Sequence, residues 1–244
     1  IAGLGGSVTT NSLTASQGVV TEIKSINANE GGEFEKGMTN NGNVTIYGYA
    51  PKIYVSGGFG YITSKNKGVS GLTNNGTIEV PDMSNAKNLP ETIHIGGVFG
   101  YATMNTAYPT TEGAITEAKA ISDCHNTGDI IYKGMATDGA YIGGVAGWTS
   151  KAALWNCTNN GKITSAGHAG NSCPRFNESQ EKATANNWRN LRTHDIAVGG
   201  IVGETDFDMS GCENYGEVTH ECLLNPLRVD YLGELSSSRF DVGG

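Results

Sequence analysis

Two short sequence blocks alternate along this chain, and their order constrains the fold more than any other feature. The first block reads apolar, small, Gly, any residue, apolar, Gly, aromatic, and its copies cover 55–61, 95–101, 142–148 and 198–204, with a weaker copy at 1–6 and a truncated one at 242–244. The second block reads apolar-x-Asn-x-Gly-x-Val/Ile, and its copies cover 38–44, 72–78, 124–130, 157–163 and 212–218. The strict alternation predicts a repeat protein with a core unit of roughly 32 residues and insertions between the blocks.

The first block has the spacing of a β-strand, because its apolar residues recur at every second position. The pairs expected to point inward are Val55 and Phe59, Ile95 and Phe99, Ile142 and Ala146, and Val198 and Val202. The glycines between the members of each pair are expected to let the sheet bend or another backbone approach closely, namely Gly57, Gly97, Gly144 and Gly200. Tyr61, Tyr101 and Trp148 close three of these blocks and are expected to stack from repeat to repeat.

The second block is typical of a turn, because Asn tolerates the left-handed conformation and Gly supplies a positive φ. If the repeats stack in register, their asparagines form a ladder of side-chain amides, made of Asn40, Asn74, Asn126, Asn159 and Asn214. The residues two positions earlier are expected to lie inside, namely Met38, Leu72, Cys124, Cys157 and Cys212.

Three of the five cysteines therefore share one repeat position, where we expect free thiols that act as small core hydrophobes rather than disulfides. Cys173 and Cys222 lie in insertions and are freer to pair. The chain has no C-x-x-C pair, so a structural zinc site is not expected.

These patterns predict an all-β fold, a parallel β-helix or β-solenoid of about five coils. It would form a single domain over 1–244, with loop insertions at 104–118, 165–197 and 219–241. A β-sandwich would show simple hairpin spacing, and a five-bladed propeller would need four strands in each blade. The chain starts inside one first block and stops inside another, so we expect further chain or neighbouring domains to cover the ends.

Charge, hydropathy and the absence of catalytic motifs argue against several classes of function. The net charge is −8 and no basic face is evident, which argues against nucleic acid as a partner. No apolar run approaches the ~18 residues needed to span a bilayer. The sequence contains no H-E-x-x-H zinc motif, no G-x-S-x-G elbow and no Walker A loop, so no catalytic residue is predicted.

The segment Ile142-Gly143-Gly144-Val145-Ala146-Gly147-Trp148, followed by Asn159-Asn160-Gly161-Lys162-Ile163, resembles the GLUG-motif repeats of bacterial surface proteins. The resemblance covers nearly the whole chain outside the insertions and departs from the pattern at Glu204, which replaces the aromatic residue. It implies an extracellular, adhesin-like protein with a β-helical rod, similar to large surface proteins of gut Bacteroidetes. Such repeats also accompany immunoglobulin-A-cleaving metallopeptidases.

Two groups of residues are candidate sites. Glu204, Asp206 and Asp208 alternate on one predicted strand, where they would form either a solvated acidic face or a Ca²⁺ or catalytic acid cluster. In the insertion from 168 to 195, a short predicted helix carries an aromatic residue beside basic ones, suited to anionic sugars or protein or to packing on the flank of the rod. Its candidate binding residues are Trp188, Arg189, Arg192 and His194.

The sequence thus predicts a non-catalytic module of a bacterial cell-surface protein, used for adhesion, ligand binding or as a stalk. Its expected partners are host protein or carbohydrate, or neighbouring domains of the same protein, and no cofactor is expected besides the Ca²⁺ considered above. The alternatives are a β-helical polysaccharide lyase or glycoside hydrolase, which would use the acidic cluster, and a non-catalytic segment of a secreted peptidase.

Overall fold

The chain is built from parallel β-strands. The computed structural model describes residues 2–3, 5–9, 38–46, 50–64, 69–83, 89–104, 120–169, 196–221 and 240–243. Within these ranges every regular element is a β-strand and every pairing between strands is parallel. The strands form six sheets, named A to F here in the order in which the chain visits them during one repeat.

Three sheets contain the first block and the segment after it. Sheet A holds β4 (Lys52–Ser56), β9 (Thr92–Gly96), β15 (Gly139–Gly143), β21 (Ile196–Gly199) and β26 (Phe240–Gly243). Sheet B holds β1 (Gly5–Thr9), β5 (Phe59–Ser64), β10 (Phe99–Met104), β16 (Ala146–Ser150) and β22 (Val202–Thr205). Sheet C holds β6 (Val69–Ser70), β11 (Ile121–Ser122), β17 (Leu154–Trp155) and β23 (Met209–Ser210).

The other three sheets contain the second block and the return to sheet A. Sheet D holds β2 (Met38–Asn40), β7 (Leu72–Asn74), β12 (His125–Asn126), β18 (Thr158–Asn159) and β24 (Glu213–Asn214). Sheet E holds β3 (Val44–Thr45), β8 (Ile78–Val80), β13 (Ile130–Tyr132), β19 (Ile163–Ser165) and β25 (Val218–His220). Sheet F holds β14 (Met135–Ala136) and β20 (His168–Ala169).

Neighbouring strands in each sheet are equivalent strands of successive repeats, and their register keeps the repeat position. In sheet A the paired positions run through Val55, Ile95, Ile142, Val198 and Val242. In sheet D they run through Asn40, Asn74, Asn126, Asn159 and Asn214. Each repeat therefore stacks on the previous one at the spacing of hydrogen-bonded strands, about 4.8 Å.

The apolar side chains form two separate cores. Val55 lies in the first cluster, with residues of sheets A, E and F, whereas Phe59 lies in the second, with residues of sheets B, C and D. Both side chains are buried, as the alternation predicts, but they point into different cores. The first block therefore buries side chains in both cores, those before the bend at Gly57 and Gly58 in the first core and those after it in the second.

Sheets A and B pack against each other backbone to backbone between these cores. A Cβ added at Gly100 would lie 2.7 Å from the Val55 nitrogen, and one at Gly147 would lie 2.6 Å from the Ile95 nitrogen. Real Cβ atoms do not approach other atoms so closely, so only glycine allows this contact. The glycine just before the aromatic position of the first block is therefore the residue that lets the two sheets touch.

Left-handed corners connect sheets C and D. Four residues at one repeat position have positive φ, namely Gly71 (74°), Asp123 (50°), Asn156 (50°) and Gly211 (63°). They are the residue types that accept this conformation at low cost.

The positive φ expected for the glycine of the Asn-x-Gly turn is wrong, since among the described glycines only those at two corners, Gly71 and Gly211, have one. That turn needs glycine for space. A Cβ added at Gly76 or Gly128 would lie 2.0 Å from the carbonyl oxygen of the equivalent glycine in the preceding repeat.

Parts of the predicted insertions belong to the strands. Sheets E and F extend to 169, sheet A resumes at 196, and β25 ends at His220. The predicted insertion bounds at 165, 197 and 219 therefore fall within repeat structure. No helix in the described ranges is long and apolar enough to cross a membrane.

Candidate functional site

The asparagine ladder runs between the two cores. The Nδ2 of each asparagine donates to the Oδ1 of the next at 2.8 Å, from Asn40 through Asn74, Asn126 and Asn159 to Asn214. Each Nδ2 also donates to the carbonyl oxygen two residues later in its own turn. These bonds satisfy amide groups that are buried in the inner repeats, so the ladder is a structural element rather than a binding site.

The ladder also contacts the bend of the first block. A Cβ added at Gly57 would lie 1.8 Å from the Asn74 Oδ1, and one at Gly97 or Gly144 would lie 2.3 or 2.4 Å from the Cγ of its asparagine. The side chain that approaches the bend is therefore the asparagine of the second block. This contact explains why the two blocks occur together in every repeat.

Three cysteines stack at one repeat position as free thiols. Cys124 and Cys157 are buried and Cys212 is half-buried. A hydrogen bond with Cys124 is the main cause that raises the pKa of the Cys157 thiol, and a hydrogen bond with Cys157 raises that of Cys212. Both groups are therefore neutral thiols at physiological pH, which makes them poor nucleophiles. Cys173 and Cys222 lie outside the described residues.

Six rings gather where sheets A and B meet, and we call this group the aromatic stripe. Sheet A contributes a column of Tyr54, His94 and Tyr141, and sheet B contributes a column of Tyr61, Tyr101 and Trp148. Within the sheet A column the ring centroids are 5.1 and 5.0 Å apart. Tyr61 and Tyr101 stack at 5.3 Å with 3° between their planes, as the repeat predicts.

The two columns contact each other along their length. The closest pair is Tyr141 and Trp148 with centroids 4.9 Å apart, and Tyr54 lies 5.4 Å from Tyr61. Trp148 lies edge-on to Tyr101, with 62° between their planes. Apart from the buried His94, all members of the stripe are half-buried, so the stripe reaches the surface of the stack.

Three members of the aromatic stripe, His94, Tyr54 and Tyr101, are neutral at physiological pH. Burial, with a smaller effect of Lys52, lowers the pKa of His94 to about 3, so its imidazole is neutral. Burial is also the main cause that raises the pKa of Tyr54 and of Tyr101. The buried His94 Nδ1 and Trp148 Nε1 have no hydrogen-bond partner within the described structure.

The stripe ends at the repeat that begins with β21. In the register of the sheets, Ala197 follows Tyr141 and Glu204 follows Trp148. The Asp206 carboxylate lies beyond Glu204 and accepts hydrogen bonds from the Ser150 hydroxyl at 3.1 Å and the Lys151 backbone N–H at 2.7 Å. A methyl group and carboxylates thus replace rings at this end.

Glu204, Asp206 and Asp208, which the sequence predicts as a possible cation site, do not lie on one continuous strand. Strand β22 ends at Thr205 and the chain bends at 206–207, so the alternation that would place the three carboxylates on one face is interrupted. Asp206 turns back to the preceding repeat instead. Across the ranges that the structure describes, no three His, Cys, Asp or Glu side chains are grouped so as to hold a metal ion.

The other predicted site, formed by Trp188, Arg189, Arg192 and His194, lies outside the described residues and stays a prediction. The sequence predicts only one half of the aromatic stripe, the sheet B column, which the repeat marks. The sheet A column, at the position just before Val55, Ile95 and Ile142, has no constant residue type to mark it.

Comparison of the chain with family models, curated proteins and solved structures gives no match.

Proposed function

We propose that this chain is a parallel β-solenoid of five coils and serves as a non-catalytic module of a bacterial cell-surface protein. In this role it would present its outer faces to host protein or carbohydrate outside the cell. The GLUG-type motifs support the extracellular setting, and the acidic net charge of −8 supports partners other than nucleic acid.

The observation that carries the proposal is a difference between positions: the residues that recur in every repeat lie inside the stack, and the less constant ones lie on its surface. The recurring residues are used within the stack: the asparagines in the ladder and the glycines at sheet contacts. Outward positions are less constant, as in the row of sheet E that reads Thr45, Glu79, Ile131, Thr164 and Thr219. A scaffold whose interior repeats while its surface differs between repeats is suited to display and binding.

A binding screen tests the proposal. The purified chain would be applied to a glycan array and to a panel of host matrix proteins, beside a variant in which residues 172–193 are replaced by a short Gly-Ser linker. That variant removes the predicted Trp188 and Arg192 site and leaves β20 and β21 in place. Saturable binding by the wild type supports a binding module, and its loss in the variant assigns the contact to the insertion.

Two controls make the screen decisive. Thermal unfolding of both proteins shows whether the replacement leaves the stack intact. If neither protein binds any array member while both unfold cooperatively, the binding function is contradicted and a passive stalk is left. Hydrolysis or elimination products from a polysaccharide panel would contradict the non-catalytic assignment.

A further inference from the structure

Three of the five Asn-x-Gly turns contain a chemically labile dipeptide. In them an exposed asparagine directly precedes the glycine, which gives Asn41-Gly42, Asn75-Gly76 and Asn160-Gly161. Such a dipeptide loses ammonia when the glycine backbone nitrogen attacks the side-chain carbonyl carbon of the asparagine, because glycine has no Cβ to hinder the attack. The other two turns have Thr127 and Tyr215 before the glycine and cannot react in this way.

The asparagine ladder holds the attacking nitrogen in all three turns. Each glycine N–H donates to the Oδ1 of the ladder asparagine two residues earlier, at 3.2, 3.3 and 3.2 Å in chain order. The nitrogen has to lose its proton and turn toward the neighbouring side chain before it can react, so this hydrogen bond must break first. The rate at each site therefore depends on how easily its turn opens.

The three glycines differ in how tightly they are packed. Gly76 and Gly161 are buried, and a Cβ added to either would lie 2.0 Å from the carbonyl oxygen of the preceding turn glycine, Gly42 or Gly128. Gly42 is exposed, and the nearest atom to its added Cβ is 3.7 Å away. Opening the turn at Gly42 disturbs the least packing, so this turn should open most often.

The carbonyl group of Asn41 is also polarised. The Asn75 Nδ2 donates to the Asn41 Oδ1 at 2.8 Å, and such a donor stabilises the negative charge that develops on the oxygen when a nitrogen attacks the carbon. Asn75 has a comparable donor, because the Thr127 hydroxyl bonds to its Oδ1 at 2.7 Å. The carbonyls of these two sites are thus alike, and the packing of the glycine separates them.

We propose that, of the three Asn-Gly sites, Asn41 is the one that deamidates in the folded protein. The Gly42 nitrogen forms a bond to the Asn41 Cγ and the Cγ–Nδ2 bond breaks, so the proton of the nitrogen leaves with ammonia and a five-membered succinimide is left. Water then opens the ring at either of its carbonyls, which gives aspartate or isoaspartate. The reaction needs only water and is independent of the proposed binding function.

The two products affect the stack differently. Aspartate at 41 keeps an acceptor for the Asn75 Nδ2 and adds one negative charge to the outer face. Isoaspartate adds one atom to the main chain before Gly42 and displaces the N–H that bonds to Asn40. Because β2 is the first strand of sheet D, this change affects one end of the ladder, whereas modification at Asn75 or Asn160 would interrupt its middle.

Peptide mapping by mass spectrometry provides the test. The purified chain would be incubated at mildly alkaline pH, once folded and once in guanidinium chloride, and the Asn, Asp and isoaspartate forms of each site would be separated over time. In the folded protein we expect Asn41 to be lost at least about tenfold faster than Asn75 or Asn160. In guanidinium the three sites should react at similar rates, because all three share the same dipeptide.

Two variants test the parts of the site. Gly42→Ala should slow the loss of Asn41, because the added Cβ hinders the attacking nitrogen. Asn159→Ala removes the acceptor that holds the Gly161 N–H, so Asn160 should react about fivefold faster, the factor that corresponds to one net hydrogen bond. Lys162→Ala, in the same turn, leaves that bond in place and should change little. A slow Asn75 in each variant shows that the stack is still folded.

Three results would overturn the inference. The first is equal loss at the three sites of the folded protein, or faster loss at Asn160 than at Asn41. The second is a preference for Asn41 that is just as large in guanidinium, because the fold would then not be its cause. The third is an unchanged rate at Asn41 in Gly42→Ala, which would exclude attack by this nitrogen.

Discussion

At the residue scale, glycine has a different task at each repeated position. The bend glycines leave room for an asparagine side chain, and the glycines just before the aromatic position of the first block let sheets A and B touch. The turn glycines let one repeat approach the carbonyl oxygen of the previous one. None of these three tasks requires a positive φ. Their common requirement is the absence of a Cβ, so the cost of substitution depends on the distance to the nearest neighbour.

This dependence predicts opposite results for two glycines at the same motif position. At Gly128 an added Cβ would lie 2.0 Å from a backbone oxygen, whereas at Gly42 its nearest neighbour is 3.7 Å away. Gly128→Ala should lower the free energy of unfolding by about 3 kcal/mol. Gly42→Ala should leave it unchanged or raise it by up to ~1 kcal/mol. Urea denaturation measures both, and equal losses would show that the contact is not the cause.

The ladder predicts a similar contrast between adjacent asparagines. Asn159 is buried and bonded to Asn126, Asn214 and Gly161, whereas Asn160 is exposed. Asn159→Ala should cost about 3 kcal/mol, because it removes the bonds to Asn126 and Asn214 and leaves one amide hydrogen of the buried Asn126 without an acceptor. Asn160→Ala should stay within ~0.5 kcal/mol of the wild type. A ladder that contributes no stability would give the two variants the same unfolding midpoint.

At the scale of elements, the short strands of sheets C and D are joined by a corner that only some residues tolerate. The corner residue has a positive φ in four successive repeats, and it is Gly, Asp, Asn and Gly in turn. Asn156→Gly should therefore stay within ~0.5 kcal/mol, whereas Asn156→Val should cost about 1–2 kcal/mol, since β-branched residues are strained there. Chemical denaturation of the two variants is the check, and a tolerated valine would contradict the role of this corner.

The sheet A column of the aromatic stripe makes stability depend on pH. His94 has a pKa of about 3 in the folded chain against 6.5 in the unfolded chain, so the unfolded chain binds the extra proton between these values. Stability from the neutral ring is thus complete above pH 6.5 and is lost as the pH falls toward 3, by up to ~1.4 kcal/mol per pH unit. His94→Phe should flatten this part of the profile. Urea midpoints at pH 7, 5 and 4 measure it, and parallel profiles would contradict the assignment.

The sequence predicts the stacking and the register because both follow from period-two alternation and from the regular recurrence of the asparagines. The sequence does not predict two cores. The alternation indicates that Val55 and Phe59 are buried, but it does not indicate that they enter different cores. The corner residues vary among Gly, Asp and Asn, so no single letter marks them. The three acidic residues do not alternate along one strand as the sequence predicts, because the strand ends at Thr205, before Asp206.

At the scale of the whole molecule, two apolar cores run side by side and share one wall, the touching sheets A and B. Ile142 belongs to the first core and Leu154 to the second, and both are fully buried. Because the wall is backbone, a cavity in one core is not filled by side chains from the other. The cores are therefore joined by the main chain and the asparagine ladder and not by shared apolar packing.

This architecture predicts how core mutations combine. Ile142→Ala and Leu154→Ala should each cost about 3 kcal/mol, and the double variant should be additive within ~0.5 kcal/mol. Ile95→Ala with Ile142→Ala changes register partners in one core and should deviate from additivity by more than that. Guanidinium denaturation of the single and double variants gives the comparison. Strong coupling between Ile142 and Leu154 would show that the wall transmits packing changes.

The asparagine ladder gives the molecule a net dipole along the stacking direction. Every link has Nδ2 pointing toward the later repeat and Oδ1 toward the earlier one, so the amide dipoles add along the stack, whereas sheet backbones contribute little net moment. The positive pole lies at Asn214, in the repeat that has six carboxylates and no basic side chain. The chain thus places anions at the positive end of a side-chain macrodipole, the pairing that also stabilises acidic residues at the start of a helix.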